Sequence, residues 1–248
     1  MIYYFTGNGN SRWVAQQIAD ATGDETENMS DYIKGDSMPL HSADYDSIGI
    51  VFPIHSWYAP QPVVQFLSRL SVKAGAYKYV VCTYGDDCGQ VARRLHHHYK
   101  FDSMWAVRMP NTYIPMFDLD SDTVARIKVK EAREEIEYIS KDIVAKKKKV
   151  RNVFQGAFPF CKTYPVNWLF YKFVVTSKGF EVNDSCTSCG TCRDVCPVGN
   201  IHLEDGRPVW NDKCIHCMAC VHACPQRAID FKQGTKKRGR YRLARYLK

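Results

Sequence analysis

The chain has 248 residues, enough for two domains, with 34 Lys+Arg against 26 Asp+Glu and 11 cysteines. No apolar stretch approaches the roughly 18 residues of a membrane span, and residues 1–5 have neither the length nor the basic lead of a secretory signal. A cytoplasmic protein with reduced thiols is therefore expected.

Residues 1–5 read as a short buried strand, apolar and aromatic and followed at once by glycines. Next comes the loop Thr6-Gly7-Asn8-Gly9-Asn10-Ser11, then Val14, Ala15, Ile18 and Ala19 at helical spacing. A strand, a glycine- and hydroxyl-rich loop and a helix N-terminus make an anion site, because backbone N–H groups and the helix dipole point at a phosphate. A Gly-Lys-Ser/Thr sequence is absent, which excludes a triphosphate loop, and so is Gly-x-Gly-x-x-Gly, which excludes a dinucleotide fingerprint.

Two further strand–loop–helix units follow. Strand 47–52 leads into a loop holding Pro53, His55, Trp57 and Tyr58, then a helix over about 62–70. Strand 79–83 leads through Thr83 into Tyr84-Gly85-Asp86-Asp87-Cys88-Gly89 and a helix running through His96-His97-His98. A shorter strand, counted as the fifth, covers 105–109, and a long helix runs from Ser121 or Asp122 to about 146. The alternation predicts an α/β fold with a doubly wound parallel five-stranded sheet and the three unusual loops at its carboxyl edge, where ligands bind. Trp57 or Tyr58 suits stacking against a flat ring, with Tyr84 a weaker choice. Asp86 and Asp87 could accept from a ring N–H or cap the next helix. Cys82 and Cys88 read as packing residues, and the three histidines lie on different faces of one helix, so they hold no common metal.

Residues 149–180 are rich in aromatic side chains, too apolar for a flexible linker, and are expected to pack between domains, with Cys161 a bystander. Then eight cysteines fall in two runs: Cys186, Cys189, Cys192, Cys196-Pro197 and, 28 residues on, Cys214, Cys217, Cys220, Cys224-Pro225. The offset also carries Asn183-Asp184 onto Asn211-Asp212 and Ile201 onto Ile229, so two similar half-modules are expected. This spacing belongs to two [4Fe–4S] clusters with crossed fourth ligands. Cluster one then takes Cys186, Cys189, Cys192 and Cys224; cluster two takes Cys214, Cys217, Cys220 and Cys196. A pair of zinc sites is the alternative, poorly served by a third cysteine at the same step.

Residues 1–150 carry 18 basic and 19 acidic residues, and residues 151–248 carry 16 and 7. Two clusters of charge about −2 each offset part of this excess, so it does not argue for nucleic acid. The remainder sits in the tail, where residues 236–248 hold seven basic residues and no acid. The tail is either a solvated end or a docking patch for an acidic redox partner.

The three loops and the cysteine runs together resemble the bacterial flavodoxin–ferredoxin fusion family, as do Met109-Pro110-Asn111-Thr112-Tyr113-Ile114 and Thr235-x3-Gly239-Arg240-Tyr241. The resemblance implies a flavodoxin-like domain over 1–148, a connecting segment over 149–180, a small α+β dicluster ferredoxin domain over 181–234 and a basic tail over 235–248. It implies FMN as cofactor, with residues 6–11 on the phosphate. Pro53, His55, Trp57 and Tyr58 of one loop, and Thr83, Tyr84, Gly85, Asp86 and Gly89 of the next, would lie about the isoalloxazine. Asn8 stands where threonine is usual, and Tyr58 where a glycine often follows the tryptophan. The function implied is electron transfer between FMN and two low-potential clusters, linking redox partner proteins. The rival is an FMN-dependent reductase of a small molecule, fed by its own clusters. No catalytic acid or base is evident in the loops.

Overall fold

In the computed structural model, which describes residues 1–247, six parallel strands form one sheet. They are β1 (Ile2–Tyr4), β2 (Thr26–Asn28), β3 (Ser47–Pro53), β4 (Tyr77–Tyr84), β5 (Ser103–Arg108) and β6 (Arg151–Asn152), ordered β2-β1-β3-β4-β5-β6. The first five have the flavodoxin order, 2-1-3-4-5, with its switch point between β1 and β3. The strand count corrects the expected five. Thr26-Glu27-Asn28 is polar and only half-buried, so its strand has no apolar signature, and β6 is a two-residue edge that opens the connecting segment.

Both faces of the sheet are covered, as an all-parallel sheet requires. Helices α1 (Asn10–Thr22) and α5 (Asp122–Val144) lay Val14, Ile18, Val129 and Ile136 over Val51, Tyr79 and Trp105. On the other face lie a short α2 (Met29–Lys34), α3 (Gln61–Arg69) and α4 (Val91–His98), packing Val63, Phe66, Val91 and Leu95 over Tyr3, Ile50 and Val80.

The aromatic segment is helical. Helix α6 (Pro159–Cys161) passes through a π turn at Lys162–Val166 into α7 (Asn167–Phe173). Its polar residues face inward: Asn167 Nδ2 donates to Ser56 O (2.8 Å), and Arg94 donates to Thr163 O (2.6 Å) and Asn167 Oδ1 (2.8 Å). Its exposed residues include Phe160, Trp168 and Phe173.

Beyond it lie β7 (Phe180–Val182), α8 (Thr191–Asp194), β8 (Ile201–Glu204), β9 (Arg207–Trp210), α9 (Ala219–Ala223) and β10 (Ile229–Phe231). β7 pairs with β10 and β8 with β9, both antiparallel. The 28-residue offset extends to the backbone. Positive φ recurs at Ser188 and His216, at Gly190 and Met218, and at Gly199 and Arg227.

The end of the chain is not a free tail. Tyr241, Leu243 and Tyr246 are 4%, 9% and 6% exposed and belong to the core under α1 and α5. Tyr241 Oη donates to Asn10 Oδ1 (2.6 Å), and its N–H to His222 Nδ1 (3.0 Å). Of the two readings of the tail, the solvated end does not hold: the tail is a strap that ties the ferredoxin half to the first helix of the sheet domain. The alternating apolar residues among the arginines drive this. Lys248 lies outside the described residues.

Candidate functional site

A cavity of about 610 Å³ opens at the carboxyl edge of β1, β3 and β4. That volume lies in the range of cofactor pockets. Thr6, Gly7, Asn8, Asn10, Ser11, Pro53, His55, Trp57, Thr83, Tyr84, Gly85 and Asp86 line it. Three expected residues do not. Gly9 sits at the N-cap of α1 with φ 93°, shaping the loop. Tyr58 turns away and is buried under α4, with the Arg94 guanidinium 4.0 Å over its ring, so Trp57 is the aromatic that faces the cavity. Gly89 lies behind the wall, packed on Thr163 and Trp57.

The loop after β1 presents open donors. The first backbone N–H of α1 to find a backbone acceptor is Trp13, donating to Gly9 O (3.0 Å), and no side chain caps the helix. The amides of Asn10, Ser11 and Arg12 therefore stand open, as a helix N-terminus does toward an anion. The loop's side chains are engaged elsewhere. Thr6 Oγ1 accepts from Gly9 N–H (3.0 Å), Ser11 Oγ lies 2.8 Å from Thr83 Oγ1, and Asn10 Nδ2 donates to Pro110 O (3.1 Å).

The second loop is a tight turn. His55 and Tyr58 exchange both backbone hydrogen bonds, and Ser56 and Trp57 between them have φ of 47° and 62°. Two non-glycine residues at positive φ form a strained turn of the kind concentrated at binding sites. His55 is half-buried by surface area and lines the cavity, and the protein packed around it pushes its imidazole down to about 4.

That shift gives a pH prediction. Unfolded, His55 titrates near 6.5; folded, near about 4. Between these values the unfolded chain binds more protons, so the contribution is full above pH 6.5 and falls on acidification by about 1.4 kcal/mol per unit. His55→Gln should therefore lose less melting temperature than the parent between pH 6.5 and 5. Equal losses would count against a neutral buried His55.

The remaining walls come from outside the three loops. Met109 to Tyr113, Met116 and Phe117 follow β5; Val166, Leu169, Phe170 and Phe173 belong to the connecting helix; Ile215, His216 and Cys217 come from the second cysteine run. Asn8 Nδ2 donates to Cys217 O (2.9 Å) and Thr112 Oγ1 (3.1 Å). A Cβ on Gly7 would lie 3.0 Å from Cys217 Cβ, so glycine is what admits the ferredoxin loop here. Tyr113 Oη lies 2.8 Å from His216 Nδ1, and burial pushes His216 down to about 4. Asn8 Oδ1, Ser56 Oγ and His216 Nε2, all on lining residues, are buried without a partner. They lie behind the cavity surface rather than on it, so they are not open to a ligand in this arrangement.

Two smaller cavities collect the cysteines. Cys186, Cys189, Cys192 and Cys224 surround one; Cys214, Cys217, Cys220 and Cys196 surround the other. Each set takes its fourth thiol from the opposite run. Backbone N–H groups aim at the sulfurs in a repeating pattern: Asn200 N donates to Cys196 Sγ (3.2 Å), and Ala228 N, 28 residues on, to Cys224 Sγ (3.3 Å). Burial pushes the Cys214 thiol up to about 11 and Cys217 to about 12. Thiolates there require a bound cation to stabilise them. The first set lies nearer solvent, with Cys189 exposed and Cys186 and Cys224 half-buried.

Residues 185–229 match the family model of a 4Fe-4S dicluster domain, and residues 213–246 match a second model of that description. A comparison with curated proteins returns no match. Among solved structures, the α/β part is similar to a protein from Bacteroides eggerthii described as a flavoprotein (18% identity, TM-score 0.37, 43% of this chain and 86% of that one). It is also similar to a flavodoxin of Streptococcus pneumoniae (16%, 0.36, 58% and 97%) and to rubredoxin oxygen:oxidoreductase of Desulfovibrio gigas (15%, 0.37, 58% and 36%). At these TM-scores the likeness adds nothing to the strand order. The chain joins a sheet domain of flavodoxin topology to a C-terminal 4Fe-4S dicluster domain.

Proposed function

We propose that this chain carries electrons between FMN, held in the large cavity, and two [4Fe–4S] clusters, held by the crossed cysteine sets. One observation carries the reading. Ile215 and Cys217 line both the large cavity and the second cysteine cavity, so a single loop is the wall between them. FMN supplies two-electron or one-electron chemistry, and each cluster exchanges single electrons. The cavity, the cluster-two cysteines, the cluster-one cysteines and solvent follow in that order.

The residues have separable parts in this reading. The open amides of α1 would hold the phosphate, and Trp57, on the cavity wall, would lie against the ring. Burial lowers the pKa of His55, so this wall of the cavity would present a neutral imidazole to a bound flavin. In this reading the chain divides at 1–148, 149–180, 181–234 and 235–248, with β6 of the second segment joining the sheet of the first and the last bound as a strap. Among the described residues, no helix is long and apolar enough to cross a membrane.

The test is chemical. Protein purified without oxygen should release FMN and hold about eight irons per chain. FAD as the sole flavin, or zinc in place of iron, would refute the cofactor assignment. Electron carriage is read separately, as the rate at which the reduced protein passes electrons to a small inorganic acceptor.

A further inference from the structure

The two halves of the cysteine repeat share a positive φ after the fourth cysteine but fill that position with different residues. Gly199 follows the fourth cysteine of the first run and has φ 60°; its equivalent, Arg227, has φ 51°. Glycine adopts that conformation freely, whereas a side chain there is strained. Gly199 is exposed, with Lys34 beside it: a Cβ built on it would lie 3.5 Å from Lys34 Cγ. Arg227 is exposed.

Arg227 lies on the wall of a separate open hollow of about 610 Å³, with Cys224, Pro225, Arg240, Arg242 and Arg245. No Asp or Glu lines it. Two of its arginines are anchored: Arg240 pairs with Asp230 (2.7 Å), and Arg245 pairs with Asp122. Arg227 and Arg242 are exposed and have no ion pair among the described residues. The strap positions this cluster. Tyr241, Leu243 and Tyr246 point into the core, which turns the intervening Arg242 and Arg245 outward. Cys224 is a thiol of the first cysteine set, the one nearer solvent.

We infer that this hollow is the docking surface for an acidic redox protein, whose carboxylates meet Arg227 and Arg242 beside the cluster-one end of the chain. The inference rests on the proposed electron carriage for its purpose, while the surface itself rests on the cluster of arginines, the absence of a lining carboxylate and the lack of an ion pair at Arg227 and Arg242. Guanidinium groups pair with carboxylates in a two-pronged geometry, and a one-signed hollow speeds encounter with an opposite charge.

The experiment uses the full-length, cluster-loaded protein and an acidic plant-type [2Fe–2S] ferredoxin as probe. Association is read by fluorescence anisotropy of the labelled probe at about 10 mM and about 300 mM salt, where screening differs several-fold. Arg227→Gln/Arg242→Gln should weaken association about tenfold or more at low salt, and the difference should close at high salt. Lys172→Gln, on the connecting helix, should leave it unchanged. Arg227→Gly should weaken association while melting no lower than the parent, because it relieves the strained φ. Equal association of parent and double variant at low salt, with full iron in both, would overturn the docking surface. So would displacement of the probe by millimolar phosphate as readily as by the ferredoxin itself, which would mark a free-anion site. If the probe associates as stated but the reduced protein passes no electron to a small inorganic acceptor, the docking surface stands and the carrier reading falls.

Discussion

Truncating the chain after Arg240 is expected to remove both clusters and to leave protein that aggregates or melts far below the parent. The lost residues include Tyr241, Leu243 and Tyr246, all nearly inaccessible to solvent. Burial of a large apolar side chain contributes about 1.5–3 kcal/mol, so the three together are comparable with the whole net stability of a small domain. The loss is also structural. His222 Nε2–H donates to Thr112 O (2.8 Å) while its Nδ1 accepts from Tyr241 N–H (3.0 Å). One imidazole thus ties the strap, helix α9 beside Cys220 and the loop after β5. Iron content and thermal melts of the truncated protein measure the effect. A truncated chain with full iron and an unchanged melt would show that the strap is dispensable. Tyr241→Phe, which removes only the hydroxyl bonded to Asn10, should cost about 1 kcal/mol.

Cys196→Ser and Cys214→Ser should each remove the same cluster, although 18 residues separate them, and Cys186→Ser should remove the other. The reason is the grouping of thiols around the two small cavities. Iron should fall from about eight to about four per chain in each variant. The surviving cluster should give one paramagnetic spectrum in the Cys196 and Cys214 variants and a different one in the Cys186 variant. Loss of the Cys186-held cluster in the Cys196 variant would break the crossed assignment. Cys217→Ser should act twice, on cluster two and on the flavin, because Cys217 also lines the large cavity.

The parts of this arrangement that were legible in sequence are those with local causes. A cubane needs thiolates at short, fixed steps, so the two cysteine runs announce themselves. A loop that closes a buried strand and opens a helix lies at the carboxyl edge whatever its partners do, so residues 6–11, 53–57 and 83–86 could be placed together. Tyr58 misled because adjacent residues on a tight turn point opposite ways, and only the packing of Arg94 decides which ring goes under α4. The other walls have tertiary causes. Ile215 and His216 look like spacers between cysteines, and Val166 to Phe173 like generic aromatic filling. A signal was present for the last, since polar Thr163 and Asn167 recur at helical spacing among apolar neighbours, which marks a helix with its apolar side outward. The tail misled because its charge count hid the alternation of Tyr241, Leu243 and Tyr246 beneath it.

The contact between Gly7 and Cys217 has a kinetic consequence. Tunnelling falls steeply with each ångström of separation, and here the two halves meet with no room for one methyl group. Asn8 Nδ2 donates to Cys217 O at the same point, and Tyr241 of the strap donates to Asn10 two residues on. If electrons cross this boundary as proposed, the crossing would be a first-order event within one chain, indifferent to protein concentration and ionic strength. Any dependence of overall turnover on those variables must arise at the outer surface, where the chain meets another molecule.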